Sequence, residues 1–301
     1  MQSSITVLKE GSAGRSQFFK VDKTLHPAPE IRLHAKQVIK SVDNAIVALL
    51  HHPLFDYLAM SSRLGFTPEQ FCVYGRGYLE ACNQVIPLFE LAAARAEAQG
   101  DQVSLKILKE NLAEEYGMQD GGQPDQAKVH TSLAWNSHHV HARQVFGMEP
   151  TRFDATPVSA AAKNYILRQR ALYEDPSYFA VIGACYVDEK GSTGMMEKYY
   201  EAFFAPYASQ YASKELYDSV AEYWQAHMEE LEAVHAKDIR RALLANCTTL
   251  EHTDAIKHGC EALLAEQRRL LDGVLADLKA AEQVGEPVLP CIVPVQETSV
   301  S

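Results

Sequence analysis

Long hydrophobic runs are missing from this chain. The longest uninterrupted apolar stretches, such as Ala45 to Leu50, are about a third of the roughly 18 residues that a membrane span requires. No transmembrane segment is expected, and membranes are excluded as a setting. The N-terminal MQSSITVLKEGSAGRSQ also lacks the apolar core of a secretory leader, which makes the cytoplasm the expected location. Paired cysteines are missing too. Cys72, Cys82, Cys185, Cys247, Cys260 and Cys291 are scattered with no CxxC pair, which argues against a zinc ribbon or a disulfide framework and for reduced thiols. Positive charge is in deficit: 28 basic against 39 acidic residues give a net charge of −11, with no dense Lys/Arg cluster, so nucleic acid and anionic membranes are not expected partners. Runs of alternating β-branched residues and internal repeats are absent as well, which leaves no basis for a sheet or a solenoid.

What is present is helical periodicity and histidine. The 301 residues are 47% hydrophobic and 22% charged, ordinary values for a folded chain, and they include 12 His. A helix carrying Ile31, Val38, Ile39, Val42, Ile46 and Leu49 follows Pro27 and Pro29. Thr67-Pro68-Glu69-Gln70 is a second start signal, with Thr as cap, Pro in the first turn and Gln three positions after the cap; a helix to about Gln99 should follow. Further helices are expected at about 103–116, 126–146, 157–173, 177–206, 214–245 and 253–282. The break from Gly117 to Asp125, with three glycines and a proline, must be a loop. Gly191 and Gly194 inside a helical pattern predict a kink or a close approach to a ligand. The economical organisation is a flexible segment 1–29, one all-α domain over 30–282, and a Pro-rich tail 283–301.

Three constellations could carry chemistry. In Tyr223-Trp224-Gln-Ala-His227-Met-Glu-Glu-Leu-Glu232-Ala-Val-His235, Glu232 and His235 are three apart on one helix face and can reach a single metal. His227 is eight residues from His235, about 80° off that face, and a one-turn π-bulge would bring the two imidazoles into register. In the second, Asn111 and Glu115 stack four apart, and His130 opens the next helix where it can fold back toward Glu115. The third is Glu189, placed directly before the glycines of Tyr186-Val-Asp188-Glu189-Lys-Gly191-Ser-Thr-Gly194. Together they offer carboxylates and imidazoles from separate helices with no thiolate, a donor set that suits iron or manganese. A ferritin-like bundle would show two Glu-x-x-His motifs, and this chain has only Glu232-x-x-His235.

Asn111-Leu-x-x-Glu115-x-Gly117, the loop leading to Val129-His130-Thr-x-Leu133, the Glu189 helix and the paired-His helix after Tyr223-Trp224 resemble the haem-oxygenase-like di-metal oxidases and oxygenases. Order and spacing match from about residue 35 to 245, and His52-Pro-Leu-Phe with Gly65-Phe-Thr67-Pro-Glu-Gln70 resembles that family's first helices. The resemblance implies a single haem-oxygenase-like (TenA-like) bundle of about seven helices. It implies two Fe(II) ions, with manganese as the alternative, and O₂ as co-substrate. The implied ligands are Glu115, His130, Glu189, His227 and His235, with Glu232 as a mobile carboxylate ligand; Glu115, Glu189 and Glu232 would serve the chemistry. The family pattern is commonly His-x₃-Asp-x₂-His, whereas this chain has His-x₄-Glu-x₂-His. His138, His139 and His141 stand as alternatives to His130.

The implied activity is a non-haem di-iron oxidase or oxygenase acting on a small aliphatic substrate. A free amino acid or derivative in a biosynthetic pathway is favoured, because Tyr165 and Arg168, three apart, could clamp a carboxylate if that face points inward. A fatty-acid oxidative decarboxylase with the same metals and a metal-free helical binding protein are the alternatives. An external electron donor and a homodimer are both left open.

Overall fold

The computed structural model describes residues 28–118, 125–228 and 230–290 and, for residues 230–233, the backbone alone. The described residues form eleven α-helices and one 3-10 turn, with no strand beyond an isolated bridge between Phe66 and Val288. That is more helices than the expected seven or so. The difference comes from short pieces: α2 (Pro53–Leu64) and α6 (Pro150–Asp154) each start on a proline, and a 3-10 turn, Ala205–Gln210, follows α8.

Local sequence sets most boundaries. α1 (Pro29–Leu49) buries Ala35, Val38, Ile39, Val42, Ile46 and Leu49, a stripe at helical spacing. α3 (Pro68–Gln99) begins with the capping box read from sequence: Gln70 N donates to Thr67 Oγ1 at 3.1 Å, and Thr67 N donates to Gln70 Oε1 at 2.8 Å. It ends at Gly100, whose φ of 76° is a left-handed stop. α4 (Gln102–Glu115) is capped by Asp101, α7 (Ala160–Tyr173) by Ser159, α8 (Tyr178–Phe203) by Ser177 and α11 (Leu250–Ala281) by Thr249. α5 is His130–Phe146. The expected helix 214–245 corresponds to α9 (Lys214–Met228) and α10 (Glu230–Asn246); Glu229, where a π-bulge between His227 and His235 would fall, lies outside the described residues.

α8 and α11 form the spine. Added Cβ atoms at Gly183 and Gly259 would fall 2.3 Å from Ile256 O and 1.9 Å from Ala180 O, so the two backbones touch where side chains would hold them apart. α8 runs as one continuous helix through Gly191 and Gly194. At Gly194 a built Cβ would lie 2.5 Å from the Leu50 side chain.

Two apolar clusters pack along this spine. One joins α1, α4, α7, α10, the C-terminal half of α3 and the N-terminal half of α8; the other joins α2, α5, α9, the N-terminal half of α3 and the C-terminal half of α8. Trp224, fully buried in the second, donates its indole N–H to Ser137 Oγ at 3.0 Å. Beyond α11, Val288 N donates to Phe66 O at 2.9 Å, and Tyr207 donates to Val288 O at 3.2 Å. Residues from the end of α11 to 290 therefore lie against the bundle. The segment 1–27 and residues 291–301 are outside the description. No helix among the described residues is long and apolar enough to cross a membrane.

Candidate functional site

The last turn of α4 and the first of α5 are joined tightly. Gly117 adopts φ 67°, and a Cβ there would lie 2.7 Å from the backbone of Lys128, so only glycine lets the chain return this closely. The return sets His130, first residue of α5, against Glu115, last residue of α4, and His130 Nδ1 pairs with Glu115 Oε2. The other ring nitrogen, Nε2, lies 3.0 Å from the hydroxyl of Tyr223 on α9, which is 2.7 Å from the hydroxyl of Tyr78 on α3. One helical turn after Tyr223 comes His227, its Nδ1 2.6 Å from Tyr223 O and its ring centroid 4.5 Å from that of His130.

A second cluster adjoins the first. His235 on α10 sets Nδ1 3.5 Å from Glu189 Oε2 of α8 and Nε2 2.9 Å from Glu114 Oε2 of α4. Asn111, one turn before Glu115, donates to Glu189 Oε1 at 2.9 Å. Neighbours Glu114 and Glu115 differ by about 100° around α4 and so reach different histidines. Five of the six residues implied as ligands, Glu115, His130, Glu189, His227 and His235, are thus brought together from α4, α5, α8, α9 and α10. The backbone of Glu232 is part of α10, and its side chain lies outside the described residues.

Burial sets the electrostatics. It pushes the Glu115 carboxyl up, but the positive charge and hydrogen bond of His130, with His227 and His235 nearby, more than offset this and hold it below the usual range. Burial pushes His130 down, yet the Glu115 charge and the hydrogen bonds the ring donates to Cys82 and Glu115 lift it well above the ordinary imidazole value. His227, beside a protonated neighbour, is pushed down to about 4 by burial and by the His130 charge. His130 pairs with Glu115 and His235 with Glu114 and Glu189; no three His, Cys, Asp or Glu side chains among the described residues are grouped so as to hold a metal ion.

The clusters open on a cavity of about 210 Å³ bounded by α3, α7, α8, α9 and α11. Glu115, His130, Glu189, Tyr223 and His227 contribute polar wall; Val85, Leu88, Phe89, Met196, Leu270 and Val274 contribute apolar wall, and no Lys or Arg is among the lining residues described. On α11 the lining runs from Gln267 to Asp277, ten residues or about 15 Å, which makes the space elongated. Tyr165 is buried and lines it. Arg168 does not: its side chain is 65% exposed, 3.7 Å from Glu266, because the three-residue step along α7 carries it over the lip. The carboxylate clamp expected of this pair is not assembled.

The three other histidines of α5 are elsewhere. His138 and His141 are fully buried among Phe71, Phe204 and their neighbours, and His139 lies 2.7 Å from Asp154. None lines the cavity, and it is His130 that meets Glu115. Sequence reading left Glu114 and the Tyr223 hydroxyl without roles. It also passed over Asp188, which faces α7, takes Tyr173 OH at 2.5 Å and Gln169 Nε2 at 3.1 Å to each oxygen, and is pushed up to about 7 by burial. The five cysteines among the described residues are buried and free.

No family model matches the chain, and no curated protein does. Solved structures do match. A CADD-like protein of unknown function from Nostoc punctiforme PCC 73102 superposes with TM-score 0.64 at 16% identity, over 82% of this chain and 99% of that one. A TenA homolog from Pseudomonas syringae pv. tomato DC3000 gives 0.60 at 12% identity, over 81% and 93%. A domain of unknown function with a haem oxygenase-like fold from Shewanella denitrificans OS217 gives 0.59 at 16% identity, over 83% and 95%. The chain therefore has the all-α, haem-oxygenase-like (TenA-like) helical fold. At these identities the likeness speaks for the fold alone.

Proposed function

We propose that this protein is a non-haem, O₂-activating oxidoreductase that holds two ferrous ions, or manganese, and acts on a small aliphatic substrate. The observation that supports it is the convergence of Glu115, His130, Glu189, His227 and His235, from five helices, beside a largely apolar cavity. The donor chemistry fits: carboxylate oxygens and imidazole nitrogens in a buried setting match iron or manganese better than softer metals. His130 and Glu115 pair with each other through a proton that a bound cation would replace.

Glu115, His130 and His227 would hold one ion and Glu189 and His235 the other, with Glu232 completing the set. Bound ferrous ions would supply the electrons for O₂ reduction. Asn111 fixes the orientation of Glu189 by its 2.9 Å hydrogen bond, and Tyr223 restrains the His130 ring through Nε2. The apolar wall from α3 and α11 keeps bulk water from the reacting carbon and packs an aliphatic chain. A substrate-derived proton has carboxylates and imidazoles within reach on the same wall.

Metal content after anaerobic reconstitution tests this reading. About two iron or manganese ions per chain, with O₂ consumption on adding substrate, is expected; trace metal only would leave a metal-free binding protein. The apolar lining also supports a second reading, an oxidative decarboxylase of alkanoic acids with the same metals. Mass analysis of aerobic incubations with amino acids and with alkanoic acids separates the two.

A further inference from the structure

We infer that Glu114 is a positioning residue for the second cluster: it holds His235 by Nε2 from the outer side, so that Nδ1 is the nitrogen this histidine offers to a metal. This deepens the proposed oxidase reading and rests on it for the metal.

The last turn of α4 ends in two adjacent carboxylates, Glu114 and Glu115, that face different ways. Glu115 lines the cavity, whereas Glu114 is not among the lining residues described and its side chain is 30% exposed. Between Glu114 and the cavity-lining Glu189 stands the His235 ring, with Nε2 2.9 Å from Glu114 Oε2 and Nδ1 3.5 Å from Glu189 Oε2. One edge of the imidazole is therefore turned outward to Glu114 and the other inward to Glu189.

That arrangement separates the roles of the two carboxylates. The ring nitrogens of an imidazole point in diverging directions, and the hydrogen bond made by one sets which nitrogen is left for a metal. With Nε2 donating to Glu114, Nδ1 is left for an ion shared with Glu189, which Asn111 already orients at 2.9 Å. The opposite assignment would put the ion between His235 and Glu114, on the outer side and away from the cavity wall that Glu189 forms. His227 follows the same plan, since its Nδ1 lies 2.6 Å from Tyr223 O and the residue lines the cavity. At His235 the outer partner is a carboxylate, which makes the imidazole a stronger donor to a metal. Because Glu115 pairs with His130, one helical turn of α4 serves both clusters.

Anaerobic ferrous titration of the full-length chain tests this, with Glu114→Ala and Glu114→Gln beside wild type. Wild type should take up about two equivalents. Glu114→Ala should keep both but bind one of them about 10- to 100-fold more weakly. Glu114→Gln, whose amide oxygen can still accept from Nε2, should recover part of that loss. Metal-free melting temperatures of both variants within a few degrees of wild type place the effect at the metal and not in the fold. Nitrogen-15 NMR of histidine-labelled wild type loaded with zinc, a diamagnetic probe, needs no variant: the proton that His235 keeps should be on Nε2. A proton on Nδ1, loss of a whole equivalent in Glu114→Ala, equal affinities in wild type and Glu114→Ala, or no recovery in Glu114→Gln overturns the role of Glu114 and leaves the oxidase reading standing. A wild-type chain that binds only trace iron overturns both.

Discussion

The hydroxyl of Tyr223 lies 3.0 Å from Nε2 of His130, on the side of the ring opposite its ion pair with Glu115. Two residues 108 positions apart in sequence, Glu115 and Tyr223, thus hold one imidazole from its two nitrogens. Tyr223→Phe removes this restraint and leaves the Tyr78 hydroxyl without its 2.7 Å partner. Ferrous affinity should fall about tenfold, the usual consequence of losing a group that orients a ligand. An anaerobic metal titration checks it, and unchanged affinity would remove Tyr223 from the account.

Glu115→Ala and His235→Ala each take a donor from a different cluster. Each should abolish one equivalent of bound iron and lower O₂ consumption by at least about a hundredfold. Elemental analysis and an oxygen electrode give both numbers, and full loading with full O₂ uptake in both variants would show the ligand set to be wrong.

Arg168→Ala should leave turnover and KM within about twofold of wild type, because the guanidinium is 65% exposed and paired loosely with Glu266. Its loss should cost no more than about 0.5 kcal/mol of stability. A tenfold rise in KM would restore it as a substrate clamp.

Stability should depend on pH through α5. Burial holds His138 down at about 3 and His141 well below its ordinary value, so both are neutral in the folded chain. Unfolded imidazoles take up protons below about 6.5. The folded state is then at full strength above that pH and weakens as pH falls toward 3, by about 2 kcal/mol per imidazole between pH 7.5 and 5. Urea midpoints across this range should show the slope, and His138→Gln should remove about half of the part these two residues contribute.

Gly259→Ala and Gly191→Ala are predicted to act in opposite directions although both sit inside long helices. The first drives a methyl group into Ala180 O and should cost at least about 2 kcal/mol, roughly 4–8 °C in Tm. The second meets only side-chain atoms of Met195 and Gln267 at 3.6–3.9 Å and should stabilise by up to about 1 kcal/mol. Thermal melts distinguish them.

The residues explain why some of this was legible and some was not. The Thr67–Gln70 box was readable because both partners lie within four positions and the signal is local. α2 was passed over in the helix count because His52 caps it with an imidazole, Nδ1 accepting from Leu54 N at 3.1 Å, rather than with a familiar hydroxyl or carboxamide. Gly183 and Gly259 could not be told from tolerated helix glycines until the two backbones were seen in contact. At the site, Glu115, His130, Glu189, His227 and His235 were named from the resemblance of their order and spacing to a family's donors, and the fold brings these five side chains close together. Glu114 was masked by its neighbour, and Tyr223 carries its role in a hydroxyl that most buried tyrosines also have. Arg168 misled because facing inward at Tyr165 does not extend to a residue about 60° further round.

The backbone contact between Gly183 and Gly259 also acts as a fulcrum. Asp188 and Glu189 are within about 9 Å of it along α8, whereas Phe203 is about 30 Å away, so a tilt about this point moves the far end several times more than the carboxylates. The spacing between Glu189 on α8 and Gln267 on α11 is accordingly set by main chain meeting main chain, not by the fit of side chains. Substrate scope can then drift through residues of α3 and α7, which shape the cavity without touching the pivot.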